Sequence, residues 1–293
     1  MKKYIKLIPM VLIAGGWILA HYGLAWGNPF GWTYELRLDT FTPSALMYVE
    51  DPEGRKAGAD FSKPVNSAGE PTKLGIQWLQ EIPHSFAEPD NFSGTPPTDW
   101  IINLYDASPA TYTVYLKGLQ YGTDDLQVLL YYSNSASNAF STQVPYLTAP
   151  NVIRKILLDF KPSIDQINIT RVVSSSDLLN DVQAACAQSF FVRSDRACRH
   201  LKLEAKLIEI ALNHHREEEA EHLVRNFLWS LGIRKESHFF DIDRDHEERD
   251  YTSIKQPVLS VLQQDAQALL AQIEQGETSE SKHNHSQGDN GNH

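Results

Sequence analysis

The sequence predicts a β half followed by an α half in separate domains: an antiparallel β-sandwich, then a small four-helix bundle. Three observations carry this. Large and polar side chains alternate with period two from Trp32 to about Ile169, turn chemistry interrupts that pattern repeatedly, and from about Ser174 the apolar period becomes 3.6. The expected boundaries are 1–25 for a leader, 26–172 for the β module, 173–274 for the helical domain and 275–293 for a disordered polar tail.

The leader comes first. Lys2, Lys3 and Lys6 precede the uncharged apolar run Leu7–Ala20. That run is short for a spanning helix, which needs about 20 residues, and fits a secretory signal. Gly23-Leu24-Ala25 has a small-x-small form, which favours cleavage after Ala25; retention through Trp26 as an anchor is the alternative. Either way the chain is expected to be exported, whether periplasmic, secreted or cell-surface, and to meet a membrane only through its N-terminal segment.

Strands are expected at Trp32–Leu38, Ala45–Val49, Trp100–Tyr105, Thr111–Leu119, Leu126–Tyr132 and Val152–Phe160. Gly54–Thr98 reads as a loop excursion with one short element at Leu74–Leu79. Within the turn Asp51-Pro52-Glu53-Gly54-Arg55-Lys56-Ala57-Gly58, the two glycines imply positive φ. An Arg55–Asp pair is expected to brace it, so Asp51, Gly54, Arg55 and Gly58 form a structural turn, with a ligand-binding turn as the alternative.

In the second half, Leu178, Leu179, Val182, Ala185 and Cys186 share a helical face, with Ser175 or Ser176 as N-cap. Cys198, Leu201, Ala205, Ile208 and Leu212 form a second stripe. Ala220, Leu223, Val224, Phe227, Leu228 and Leu231 form a third, closed by Gly232. Pro257 opens a fourth, with Val258, Leu262, Ala266, Leu269, Leu270 and Ile273 inward. Each apolar stripe needs a partner, and four mutually packed helices supply one.

Two resemblances rest on these motifs. Ser44–Tyr132 resembles a secreted bacterial β-sandwich module with a D-P-x-G-R-[RK]-x-G turn, through Asp51–Gly58, Ile82-Pro83-His84-Ser85 and Tyr112–Gly118. Ser174–Ile273 is similar to the FIMAH domain, an all-helical module of secreted bacterial proteins, through Leu178–Gln183, Leu203–Ala211 and Ala220–Leu231. A longer acidic loop between the last two helices and the two cysteines depart from that pattern. Neither resemblance implies an active site; both imply exported modules that accompany other domains, and the FIMAH resemblance implies surface or polymer attachment.

The candidate sites follow. Cys186 and Cys198, the only cysteines, end one helix and begin the next; in an exported chain they read as a disulfide, with two buried thiols as the alternative. Such a bridge would close a loop of about 13 residues and stabilise by roughly 3 kcal/mol. If Asn213–His222 is helical, His215, Glu218, Glu219 and His222 share a face that is a candidate for zinc, although the spacing is not H-E-x-x-H; the favoured alternative is a helix–helix turn followed by a first helical turn whose glutamates complement the dipole. Asp241, Asp243 and Asp245 begin like a calcium loop, but the Gly and Glu an EF-hand needs are replaced by His246 and Thr252. No catalytic residue is assigned and no cofactor is expected, calcium and zinc being the weak candidates. The formal charge of −11 argues against nucleic acid as a partner. Aromatics concentrate in the β half, where they serve as core, cross-strand pairs or a stacking platform. The functional expectation is a non-enzymatic binding or attachment protein of the bacterial cell envelope, with a protein or polysaccharide ligand. The alternatives are a metal-dependent hydrolase using the His/Glu face and a calcium-stabilised structural module.

Overall fold

The structure, a computed structural model, describes residues 32–40, 44–62, 78–90, 99–133, 138–161, 166–187, 192, 194–232 and 254–285. The leader, the tail from 286 and the acidic run of Asp241, Asp243 and Asp245 lie outside them. Among the described residues no helix is long and apolar enough to cross a membrane.

Among the described residues eleven strands form two antiparallel sheets. They are β1 (Tyr34–Thr40), β2 (Ala45–Glu50), β3 (Lys56–Ala59), β4 (Trp78–Gln80), β5 (Ser85–Asp90), β6 (Asp99–Tyr105), β7 (Ala110–Gly118), β8 (Gly122–Tyr132), β9 (Asn138–Thr148), β10 (Ile153–Lys161) and β11 (Gln166–Val172). One sheet runs β5-β6-β1-β8-β9 and the other β11-β10-β7-β2-β3-β4. Period-two alternation puts Leu36 and Leu38 of β1, Met47 and Val49 of β2, Val114 of β7 and Ile156 and Phe160 of β10 into one cluster contributed by both sheets.

The alternating runs fall on β1, β2, β6, β7, β8 and β10, as the sequence predicts. Four strands, β3, β5, β9 and β11, arise where no strand was expected. Short β3 and β5 lie in or beside the presumed loop excursion, and β9 carries Asn, Ser, Thr and Pro145 instead of an apolar alternation. Both β5 and β9 are sheet edges, where a proline is tolerated because one side of the strand has no ladder partner to donate to. Long-range pairing with β8 over Gly122–Tyr132 therefore overrides the local propensity of β9.

Four helices follow: α1 (Ser175–Ala187), α2 (Asp195–Asn213), α3 (Glu217–Ser230) and α4 (Gln256–His285). Chain order is also packing order, and α1 closes on α4. The cap of α1 is Ser174, one residue before those expected: its Oγ accepts from Asp177 N at 3.2 Å, while Asp177 Oδ2 accepts from Ser174 N at 2.9 Å. This reciprocal box satisfies two backbone donors, which Ser175 and Ser176, already helical, are placed too late to do. Ser194 caps α2 in the ordinary way, accepting from Ala197 N at 3.2 Å. Helix α3 has three glutamates in its first turn, complementing the dipole, and ends at Gly232 with φ +86°. Helix α4 runs past Gly276, where the sequence places the start of the tail.

The helical core takes in Leu147 of β9 and Val173, so helices and sheets share apolar contact. A buried charge network lies beside it. Arg154 of β10 donates to Leu147 O at 3.4 Å, to Asp177 Oδ1 at 3.3 Å and to Asp181 of α1. Arg171 of β11 donates to Pro145 O at 2.5 Å and Gln264 Oε1 at 3.1 Å, and pairs with Asp265 of α4 at 2.6 Å. The two arginines thus span both sheets and two helices, giving the edge carbonyls of β9 donors that no strand supplies. The cavity between them is about 10 Å³, room for a single water.

Asp181 and Asp265 are 1% and 2% exposed. Burial pushes the Asp181 carboxyl well above the ordinary range; Arg154 opposes this, and the hydrogen-bonded Asp265 adds to the rise. The two arginines thus face three acidic side chains, Asp177, Asp181 and Asp265.

A raised folded-state pKa means that the native chain holds a proton the unfolded chain has released. This contribution to stability is fully present below the unfolded value near ~4 and is lost as pH rises toward the folded value, at about 1.4 kcal/mol per pH unit. Asp181→Asn keeps the neutral hydrogen-bonding shape. Denaturation at a series of pH values should show wild type losing this increment above pH ~4 and the variant, with no proton to release, keeping it. Parallel pH profiles would show that Asp181 ionises freely in the folded chain.

Candidate functional site

The outward side chains of the six-stranded sheet form the most chemically distinctive exposed face of the described residues. Alternation along β2 turns Met47 and Val49 inward and Tyr48 and Glu50 outward; along β7 it turns Val114 and Leu116 inward and Tyr115 and Lys117 outward. Antiparallel register aligns Gly58 of β3, Tyr48, Tyr115 and Lys155 of β10 in one row across four strands. The flanking rows place Lys56 beside Glu50 and Lys117 beside Ile153.

The rings of Tyr48 and Tyr115 stack with centroids 4.6 Å apart and planes 20° off parallel. Phe61 meets Tyr48 edge-on at 4.6 Å. Three ammonium groups surround them: Lys56 Nζ lies 5.4 Å from the Tyr48 ring, Lys117 Nζ 5.9 Å from Phe61 and Lys155 Nζ 5.9 Å from Tyr115. These are cation–π distances. Lys117 is further held by donating to Phe61 O at 3.3 Å, and Lys56 by Glu50 at 3.6 Å. All three rings are half-buried, so each keeps a solvent-facing edge or face.

Burial raises the Tyr48 phenol to about 12, with Tyr115 and Glu50 adding to the effect; burial and Glu50 raise Tyr115 in the same direction. Both phenols therefore stay protonated at any physiological pH and can donate as well as accept. The face combines flat apolar rings, neutral hydroxyls and fixed cations. Those groups suit recognition of a ligand with apolar faces and negative charge.

The turn beside this face is braced by a buried carboxylate. Asp51 is buried; its Oδ1 accepts from Glu53 N at 3.1 Å and Arg55 N at 2.9 Å, and its Oδ2 accepts from Arg55 Nε at 2.6 Å. The Arg55 guanidinium is held well charged chiefly by its hydrogen bond to Asp51. Gly54 and Gly58 have φ +79° and +123°.

The other candidates separate. Cys186 and Cys198 are joined, with their Cα atoms 5.6 Å apart, tying α1 to α2. The His/Glu face does not form as one helix, because α2 ends at Asn213 and His215 sits in the turn with φ +53°. Glu218 and His222 are one turn apart on α3, whereas Glu219 pairs with Arg216 at 2.7 Å. Continuous helix over 213–222 was the premise of that site, and a two-helix hairpin replaces it. Among the described residues no three His, Cys, Asp or Glu side chains converge as metal ligands.

Sequence reasoning singled out neither the Tyr48–Tyr115 row nor the Arg154–Asp181 and Arg171–Asp265 pairs. Outward aromatics on neighbouring strands were a usable signal for the first, but the register that aligns them is set by strand pairing.

Comparisons with known proteins return no match: no family model, no curated protein and no solved structure is significantly similar to the chain.

The two turn glycines should respond differently to alanine. A Cβ at Gly54 would meet nothing within 4 Å, whereas one at Gly58 would lie 2.5 Å from Met47 O and 2.7 Å from Tyr48 Cα. Gly54→Ala should cost about 1 kcal/mol from its positive φ alone. Gly58→Ala should cost at least ~2 kcal/mol more, because backbone must move. Urea denaturation of both variants measures this, and equal costs would contradict it.

Proposed function

We propose that the chain is an exported, non-enzymatic attachment protein of the bacterial cell envelope. In this reading a β-sandwich, joined to a four-helix bundle, binds a polysaccharide on the outer face of its six-stranded sheet. The observation that carries the reading is the Tyr48–Tyr115 stack ringed by Lys56, Lys117 and Lys155.

Sugar rings present C–H faces that pack on aromatic faces, and hydroxyls that pair with neutral phenols. A chain of net charge −11 that gathers three lysines around one aromatic row is suited to a sugar bearing carboxylates. A sheet face is also a plausible shape for an extended chain polymer, which needs a shallow surface and no deep pocket. Export is supported by the Lys2–Ala20 leader pattern and by the disulfide, which belongs to oxidising compartments.

The test is affinity electrophoresis in gels containing a polyuronate or a matched neutral glucan. Wild type should be retarded by the polyuronate, and less so as salt is raised. Tyr115→Ala and Lys155→Glu should each weaken retardation by about tenfold, the effect of losing one stacked ring or reversing one charge-assisted contact. Their circular dichroism should match wild type. Equal mobility of wild type in both gels would refute the proposal.

A further inference from the structure

The outer ridge of α2 carries a second surface, unrelated to the sheet face. The inner stripe of this helix, Ala197, Leu201, Ala205, Ile208 and Ala211, is buried against the other helices. On the opposite side Leu203, Leu207 and Ile210 are 59%, 40% and 37% exposed. Their spacing of i, i+4 and i+7 places them on one face, so they make a continuous apolar ridge and not scattered exposure. A helix apolar on both faces is one that meets something on each.

Charge along this ridge is segregated. At 100° per residue Arg196 and Arg199 continue the same face toward the N-terminus of α2, one to two turns before Leu203. At its other end lies the turn into α3, where exposed Glu217, Glu218 and Glu219 outnumber Arg216, which pairs with Glu219 at 2.7 Å, so that this end is net acidic. The order along the molecule is therefore basic, apolar, acidic. The ridge midpoint falls between Lys206 and Leu207. At 1.5 Å per residue, Arg199 and Arg196 lie about 11 and 16 Å to one side, and α2 ends about 10 Å to the other, with the glutamates just beyond.

Such an order is complementary to itself when reversed. We propose that the outer ridge of α2 is a dimer interface at which a second copy of this chain packs antiparallel about a two-fold axis near Leu207. In that arrangement Leu203 of one copy faces Ile210 of the second, and each basic end meets an acidic turn. An anionic membrane fits less well, because the glutamates at one end of the ridge would be pressed against like charge. Lys206 lies at the rim beside the apolar row and is paired there with Glu209, so it projects no free like charge onto the axis.

Sedimentation equilibrium of the full mature chain over a wide concentration range tests this. Wild type should associate to a dimer and no further, since a two-fold interface closes. Leu207→Glu, at an exposed position that leaves the buried stripe intact, should weaken association by more than about tenfold. Arg199→Glu and Glu218→Arg should each weaken it, and the two together should restore it, because the reversed pair is again complementary. Unchanged thermal melting of the diluted variants would show that folding is not the cause. A wild type that stays monomeric throughout, association that survives Leu207→Glu, or failure of the double reversal to restore it would each overturn the proposal.

Discussion

Two arginines hold the molecule's layers to one another. Arg154 and Arg171 belong to neighbouring strands of one sheet, yet their guanidinium groups end on the backbone carbonyls of Leu147 and Pro145 in the edge strand of the other. Their remaining donors go to Asp177 and Asp181 on α1 and to Asp265 and Gln264 on α4. A guanidinium presents its donors in a fixed planar fork, so each arginine fixes a sheet edge and a helix at the same time. Removing one partner from so buried a set leaves a charge uncompensated, which typically costs 3–5 kcal/mol, or about the whole margin of a small domain. The gain from the intact set is more geometrical than energetic: it specifies where the helices sit.

The same strand that supplies this network supplies the proposed binding face. Along β10, Arg154 points in to the helices, Lys155 points out to the Tyr115 ring and Ile156 points in to the core. One residue of register slip would exchange these roles, burying an unpaired lysine and exposing an arginine. Ladder pairing of β10 with both β7 and β11 resists such a slip. Another buried polar cluster fixes the far side of the junction: Asp124 accepts from Ser44 Oγ at 2.9 Å and from the Tyr146 hydroxyl at 3.0 Å. Burial, with Asp124 beside it, keeps the Tyr146 phenol protonated and hence a donor. The disulfide acts locally, joining α1 to α2, and so steadies the helix that carries Asp181.

Much of this was legible in the residues because local pattern and tertiary demand agreed. The alternation in β1, β2, β7, β8 and β10 and the apolar stripes of the helices are set by the cores they face. Ser174 was a near miss, since Asp177 three residues on completes a capping box. Strand β9 was not legible, because Pro145 and its polar neighbours lack a strand pattern and β8 imposes one. The charge network left a signal that propensity ignores: Arg154 and Arg171 sit at inward positions of two strands, and Asp181 and Asp265 sit within the apolar stripes of two helices. Two arginines and two aspartates at core positions imply pairing, although only the fold says which meets which. For 213–222 the residues allowed either one helical face or a helix–helix turn followed by glutamates that complement the next dipole, and the left-handed His215 belongs to the turn.

The account turns on where a ligand meets this molecule, and an NMR titration with a short oligouronide measures that directly. The account predicts saturable shifts confined to Tyr48, Lys56, Tyr115, Lys117, Lys155 and their neighbours. It also predicts upfield movement of sugar protons lying over the two stacked rings, with the helical resonances unmoved. Saturable shifts centred on the helices, or none at any concentration, would contradict it.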